Sequence, residues 1–406
     1  MTACGGGYVH QSRGARHSFQ RGDPEKALKW YQQQKPPHRD RLLYLMDQAV
    51  ILHTAGRYQE SLKTFEEAIR LSEAMNSPQV LAKTASLVTN DNLIPYKGED
   101  FERLLMHLFQ VLNYLGLGEP DEALVEVRRV HTKFSDFFKD NSKSYLRNAF
   151  ATYLSGLVWE ANGKLNDAYI DYKTTQKIVP SFPSLPQDLL KGATLFGFLN
   201  EKARWQKLFR QDYRPLPPDQ GEVILLIEEG VVPEKESTEE EINLQVLPLP
   251  RYPKDLKNPV LVSVFRGASP KGASPKGVSP TDKTELAQTT PLYRVDEAAK
   301  KTLADQKGGM IARGLARLAV KEGAAVAVGT KVDRDLGIFL GVLVLATNRA
   351  DLRSWLTLPR SFQVARFALP EGTYDLKLSW PGGSKSIPTM AVKARKKTFV
   401  IQRIFD

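Results

Sequence analysis

One thiol, one pair of carboxylates and one arginine–tryptophan cluster are the side chains in this sequence with chemistry to offer. Cys4 is the only cysteine in 406 residues, so no intrachain disulfide can form. It follows Met1-Thr2-Ala3 and precedes Gly5. A small residue just before a cysteine ends the kind of signal whose cleavage exposes that cysteine for acylation, so Cys4 is a candidate lipidation site, with a chance match as the alternative. The charged and apolar regions of such a signal are missing here. The expectation therefore requires a start upstream of Met1, and Met1 as the genuine start would leave the chain in the cytoplasm. Gly5, where an aspartate would favour the inner membrane, points to the outer one.

Glu122 and Glu126 stand at the spacing of a carboxylate pair on one helix face, but ordinary exposed helices show the same spacing. His53 has no companions at metal-ligand spacing. With no nucleophile elbow and no phosphate loop either, neither a metal, a cofactor nor an enzymatic activity is expected. The run Asp351-Leu352-Arg353-Ser354-Trp355 is the most unusual polar cluster. It reads first as a loop fixed by an Asp351–Arg353 ion pair with Trp355 packed beneath. Its alternative is a recognition surface, since tryptophan and arginine dominate binding hot spots.

The net charge of +11 suits anionic partners: nucleic acid, acidic headgroups or wall polymers. Arg313, Arg317 and Lys321 form a basic helical stripe, which reads first as a solvated face. Nucleic acid is not expected as a partner, because the aromatic–basic interleaving of single-strand binders is absent. No apolar run is long enough to span a membrane as a helix. The longest, Leu336–Ala346, reads as a buried helix or strand.

Helical periodicity and glycine turns organise the first half. Gly22-Asp23-Pro24, Gly56-Arg57-Tyr58, Gly118-Glu119-Pro120 and Gly163-Lys164-Leu165 each separate two helical stretches. Gly22 and Gly56 lie 34 positions apart, the length of a tetratricopeptide unit, and later units carry insertions such as Ser77–Lys97. This phasing turns Leu43, Met46, Val50 and His53, then Leu105, Leu108 and Leu112, then Phe150, Tyr153, Leu157 and Glu160 toward an inner groove. Such a surface does not stay bare in water. Either a protein partner fills it or the apolar stretch Gln187–Gln211 does.

Pro215-Leu216-Pro217-Pro218 marks the change from helix to strand. Glu222–Glu228 and Val260–Phe265 are β-type runs separated by an acidic stretch, Glu234–Glu241, expected as a solvated loop. Three copies of a GASPK-like unit make residues 267–285 an expected disordered insertion. Asp296–Lys321 is helical in pattern. Phe362–Phe367, Thr373–Trp380, Thr389–Lys393 and Thr398–Ile404 are four strands of an expected antiparallel sheet or small sandwich. The fold class is α+β: a flexible tether over 1–21, a tetratricopeptide-like hairpin stack over 22–215, and a smaller α/β domain over 216–406 ending in an antiparallel β module.

The phrases ERLLMHLFQVLNYLGLGEPDEALVEVRR, YLSGLVWEANGKLNDAYIDY, GEVILLIEEGVVPEK and RADLRSWLTLP followed by LPEGTYDL resemble an uncharacterised family of bacterial tetratricopeptide-containing envelope lipoproteins. They run from about Gly98 to the C-terminus. The resemblance implies a lipid-anchored periplasmic protein, held at the outer membrane, that serves as a scaffold for protein partners of the cell envelope. It supplies no catalytic residues. A cell-wall hydrolase and a binder of anionic polymer are the alternatives.

Overall fold

A computed structural model of the chain describes residues 7–77, 94–139, 146–242, 245–266, 285–329 and 350–405. After α1 (Tyr8–Gln11), the first half is a row of helical hairpins. They pair α2 (Arg13–Gln20) with α3 (Pro24–Gln33), α4 (Arg41–Thr54) with α5 (Tyr58–Met75), and α6 (Asp100–Leu117) with α7 (Pro120–Lys139). Next come α8 (Ala149–Ala161) with α9 (Leu165–Ile178), and α10 (Leu185–Leu195) with α11 (Leu199–Phe209).

All five hairpins turn by one device. Gly22, Gly56, Gly118, Gly163 and Gly197 take φ between 66° and 78°, a region that a Cβ disfavours. The residue after each glycine donates its N–H to the carbonyl five positions back. The pairs are Asp23 to Ser18, Arg57 to Leu52, Glu119 to Tyr114, Lys164 to Trp159 and Phe198 to Ala193, at 2.8–3.0 Å. This bond satisfies a carbonyl that the helix end leaves orphaned. Within a hairpin the helices touch where a side chain is missing. A Cβ on Gly156 of α8 would lie 2.5 Å from the Tyr172 ring of α9.

Two expectations about this half are corrected. Residues 187–211 do not lie in the groove; they build the fifth hairpin, stacked beyond α9. The tether expected over 1–21 is helical from Tyr8 onward. Tyr8, Ser12, Ala15 and Phe19 follow helical spacing and are all buried, so this segment is held by its own apolar face.

The second half supplies two four-stranded sheets. The first has the order β10-β1-β7-β6, built from β1 (Gln220–Glu229), β6 (Thr290–Arg294), β7 (Ser361–Pro370) and β10 (Lys397–Ile404). The second has the order β5-β4-β8-β9, from β4 (Ser263–Arg266), β5 (Glu285–Gln288), β8 (Gly372–Trp380) and β9 (Gly383–Val392). The four C-terminal strands are thus divided between two sheets. They are not purely antiparallel in setting either, because β10 runs parallel to β1. The acidic stretch is not a loop: β2 (Glu236–Ile242) pairs with β3 (Gln245–Arg251). Lys307 and Arg251 meet its carboxylates at Glu240 and Glu236. The helix α12 (Val295–Gly329) packs Met310, Ile311 and Leu315 against Leu247 and Leu249 of β3.

The layers follow from β1, whose EVILLIE run is apolar on both sides, as a central covered strand must be. Val223, Leu225 and Ile227 join the core between the two sheets. Ile224 and Leu226 join the other core, which runs from Tyr8 through every hairpin to Trp355, Phe362 and Ile401. The order is therefore helices, sheet, sheet, and the proline-rich link between Phe209 and Gln220 does not separate the cores. Cys4, residues 267–284 and Leu336–Ala346 lie outside the described residues, as do the side chains of Arg317 and Lys321.

Candidate functional site

The predicted groove residues come together, but not as an open surface. Leu105, Leu108, Leu112, Tyr153 and Leu157 are at most 1% exposed. The first sheet and the strand-free segment ahead of β7 occupy the concave face. The Phe362 ring stacks on Phe150 with centroids 4.7 Å apart. Trp355 packs against Phe65 and Phe109 at 5.9 and 5.8 Å. A face this apolar gains most by burying itself against the chain's own apolar strands.

Polar groups lock the same interface. Asn113 donates its Nδ2 to Ser61 Oγ at 2.9 Å, which turns its Oδ1 toward His53 Nδ1 at 2.7 Å. His53 Nε2 meets Glu228 of β1 at 2.6 Å. Both ring nitrogens therefore face acceptors, an arrangement that favours the doubly protonated ring. Burial opposes that charge, but the Glu228 carboxylate and the two hydrogen bonds outweigh it and raise the His53 pKa above the ordinary value. Asp47 accepts the Thr357 N–H at 3.1 Å, the Thr357 hydroxyl at 2.8 Å and the Tyr31 hydroxyl at 3.0 Å. Burial still pushes its carboxyl up to about 8. Glu102 accepts the Trp355 N–H at 3.0 Å.

The Asp351–Arg353–Trp355 cluster belongs to this lock and is not a recognition surface. Arg353 Nη2 meets Asp351 at 2.7 Å and Nη1 reaches Asp40 at 3.2 Å, while Trp355 is 1% exposed. Glu122 and Glu126 are not a working pair. Glu122 is exposed, and Glu126 is buried against His107 at 3.1 Å. Among the described residues no group of acidic, His or Cys side chains is placed to hold a metal, and no helix is long and apolar enough to cross a membrane.

Glu160, the last predicted groove residue, leads to a different site. A cleft of about 1140 Å³ opens where the last three hairpins meet the ends of β1, β7 and β10. Its floor holds three carboxylates and three cations. Lys397 bridges Glu160 at 3.1 Å and Glu222. Arg366 grips Glu222 through Nε at 2.8 Å and also pairs with Asp188. Lys191 pairs with Glu160. Tyr172 and Tyr153 add hydroxyl donors, to Glu160 at 2.7 Å and Asp188 at 3.0 Å. Burial raises the pKa of Asp188 despite the Arg366 charge. Burial also opposes the charge on Glu160, but Lys397, Arg366 and Lys191 prevail and hold it low.

Above this neutralised floor the rim is basic. Arg214, Lys393, Arg395 and Lys396 line the cleft and are exposed. Of the cleft's charged residues the sequence reading singled out only Glu160. A signal for the rest existed: Arg366 is the one charged residue of the strand SFQVARFALP, and four of the five residues from Lys393 to Lys397 (KARKK) are basic.

Hairpins of this turn chemistry, stacked in a row, make the first half a tetratricopeptide-like array, here closed over a β-sandwich. No protein-family model matches the chain, and no curated protein matches it. Among solved structures it is similar to MamA from Desulfovibrio magneticus RS-1, at 15% identity over 50% of this chain and 93% of that one, with a TM-score of 0.34. A second MamA crystal structure gives 15% identity over 48% and 91%, with a TM-score of 0.33. Overlap at this level is confined to half the chain and supports no statement about what the chain does.

Proposed function

We propose that this chain is a non-enzymatic scaffold for protein partners, carried at the bacterial outer membrane on a lipid attached to Cys4. Binding is moved off the concave face, which the chain fills itself, to the cleft between the last three hairpins and the strand ends. That cleft, wide and rimmed by exposed cations, is the observation behind the reading. Immobilised full-length protein should capture a defined set of envelope proteins from detergent extract. A Lys393→Glu, Lys396→Glu double variant, altered only at exposed positions, should lose some or all of that set. Capture of nothing above the bead background overturns the scaffold reading.

The anchor has its own test. Each buried methylene contributes about 0.8 kcal/mol to membrane attachment. Cys4→Ser, in a gene retaining its upstream start, should therefore release the protein to the soluble periplasm. Fractionation of that variant with membranes, like the parent, removes the lipid anchor.

A hydrolase reading has one observation in its favour, the carboxylates of opposed pKa shift at the cleft floor. Those carboxylates already neutralise Arg366, Lys397 and Lys191, which is the work of a structural network. Release of soluble fragments from purified wall glycan by the parent protein, abolished in Asp188→Asn, would favour the hydrolase.

A further inference from the structure

We propose that the cleft takes an extended acidic peptide segment, added as a further strand to the free edge of β10 at Lys397–Phe399, with its carboxylates on the basic rim. The inference deepens the scaffold reading and rests on it.

Three observations converge. The first is a strand edge. Among the described residues β10 ends its sheet, with β1 on one side only. The Glu222 N–H donates to the Lys396 carbonyl and the Gly230 N–H to the Ile404 carbonyl, with Glu222 in register with Lys397. In a parallel ladder this phase spends the peptide groups of Thr398, Val400 and Gln402 on β1. It turns those of Lys397 and Phe399 outward. Both residues line the cleft, so this outward edge borders the open space in which a strand would be added.

The second observation is charge. The three cations of the floor are matched by Glu160, Asp188 and Glu222, whereas Arg214, Lys393, Arg395 and Lys396 have no carboxylate partner among the described residues. Three of these four sit on the turn from β9 to β10. That turn is held in a fixed shape. Arg395 takes φ 59°, an unfavourable value for a side-chain-bearing residue, while its N–H donates to the Gln220 carbonyl at 2.7 Å. Strain of this kind persists where the surroundings enforce it. A preset cluster of cations beside a strand edge favours an anionic strand.

The third observation is size and lining. The volume of about 1140 Å³ exceeds the usual range for a small-molecule pocket. Leu115, Leu117, Leu165 and Leu216 share the walls with the cations. Apolar walls offer little to a phosphate polymer but suit the alternate side chains of a strand. Among the described residues the chain's own acidic strand, β2, is already paired with β3, and the occupant proposed is an acidic strand of another protein.

The probe is a short fluorescein-labelled peptide alternating Glu and Val, titrated against the full-length protein and followed by anisotropy. Three comparisons accompany it: the same peptide with alternate amides N-methylated, a Lys/Val peptide, and single-stranded oligothymidylate. Binding of the Glu/Val peptide is expected, weakened at least about tenfold both by N-methylation and by Lys393→Glu with Lys396→Glu. The Lys/Val peptide should not bind. No binding of the Glu/Val peptide overturns the proposal, and so does binding indifferent to N-methylation or to the charge reversal. Oligothymidylate binding more tightly than the peptide reassigns the cleft to nucleic acid. If envelope partners are captured but the Glu/Val peptide does not compete with them, the scaffold reading stands and the acidic-strand inference falls.

Discussion

Phe362→Ala is the sharpest test of a helical row closed by its own sheet. Phe362 lies on β7, opposite Glu228 of β1, and is fully buried. Its ring stacks on Phe150 at an interplanar angle of 20° and meets the Phe109 ring edge-on at 5.8 Å. Truncating a buried phenylalanine to alanine costs about 3–5 kcal/mol, through lost transfer energy and the cavity left behind. Roughly 0.5–1.5 kcal/mol per ring pair comes from aromatic geometry. Phe362→Leu keeps most of the apolar volume, loses the ring pairs, and should cost about 1–2 kcal/mol.

Urea unfolding is the assay, followed by far-UV circular dichroism for the helices and by tryptophan fluorescence. Of the five tryptophans behind this signal, Trp355, against Phe65 and Phe109, is the one at the interface. Both signals should move together to lower urea in Phe362→Ala, with an unchanged slope, because helices and sheet share one core. A loss under about 1 kcal/mol, or a helix transition that stays in place while the fluorescence transition shifts, would falsify the closed-groove architecture.

Two further outcomes follow from pairs already described. The His53 pKa is raised, so its contribution to stability is fully present below its unfolded value near 6.5 and is lost as pH rises through the folded value. Burial opposes ionisation of Glu228, but the His53 charge and hydrogen bond hold its pKa low. Its contribution is present above 4.5 and lost as pH falls through the folded value. The stability gap between the parent and His53→Gln should therefore be widest between 4.5 and 6.5 and narrow at higher pH; a pH-independent gap in melting temperature would remove the imidazolium. Gly156→Ala forces a methyl into the Tyr172 ring and should cost about 1–3 kcal/mol by overpacking, read as a lower melting temperature, and an unchanged one would mean that the hairpin relaxes freely.

What the sequence disclosed was local. A left-handed glycine between two helical periods is written in adjacent residues, so four turns were legible. The fifth, Gly197-Phe198-Leu199-Asn200, has the same form, but the apolar content around it read as filler for the groove. The strands after Ser361 were legible, and a small sandwich was one of the two forms expected for them, whereas the parallel pairing of β10 with β1 was not, because it joins strands from opposite ends of the second half. The helical face of Tyr8, Ser12, Ala15 and Phe19 was obscured by surrounding glycine and arginine. The cleft was the least legible part. Its floor is assembled from α8, α10, β1, β7 and β10, and no local pattern announces that Glu160, Asp188, Glu222, Arg366 and Lys397 meet.

The parallel pairing of β1 with β10 also sets the order in which this protein can be made. The helical row is complete once Phe209 has been synthesised, yet Phe362 is still far from emerging and β10 is the last strand of all. Through that interval Phe65, Phe109 and Phe150 lack the cover that Trp355 and Phe362 give them. A nascent chain must therefore carry a concave apolar face until Trp355 and Phe362 arrive, a state prone to aggregation. A stop anywhere ahead of Lys397 makes that state permanent on the β10 side, leaving Glu228 without Arg403 and β1 without its parallel neighbour. Pairing of β10 with β1 thus completes a closure that Trp355 and Phe362 begin.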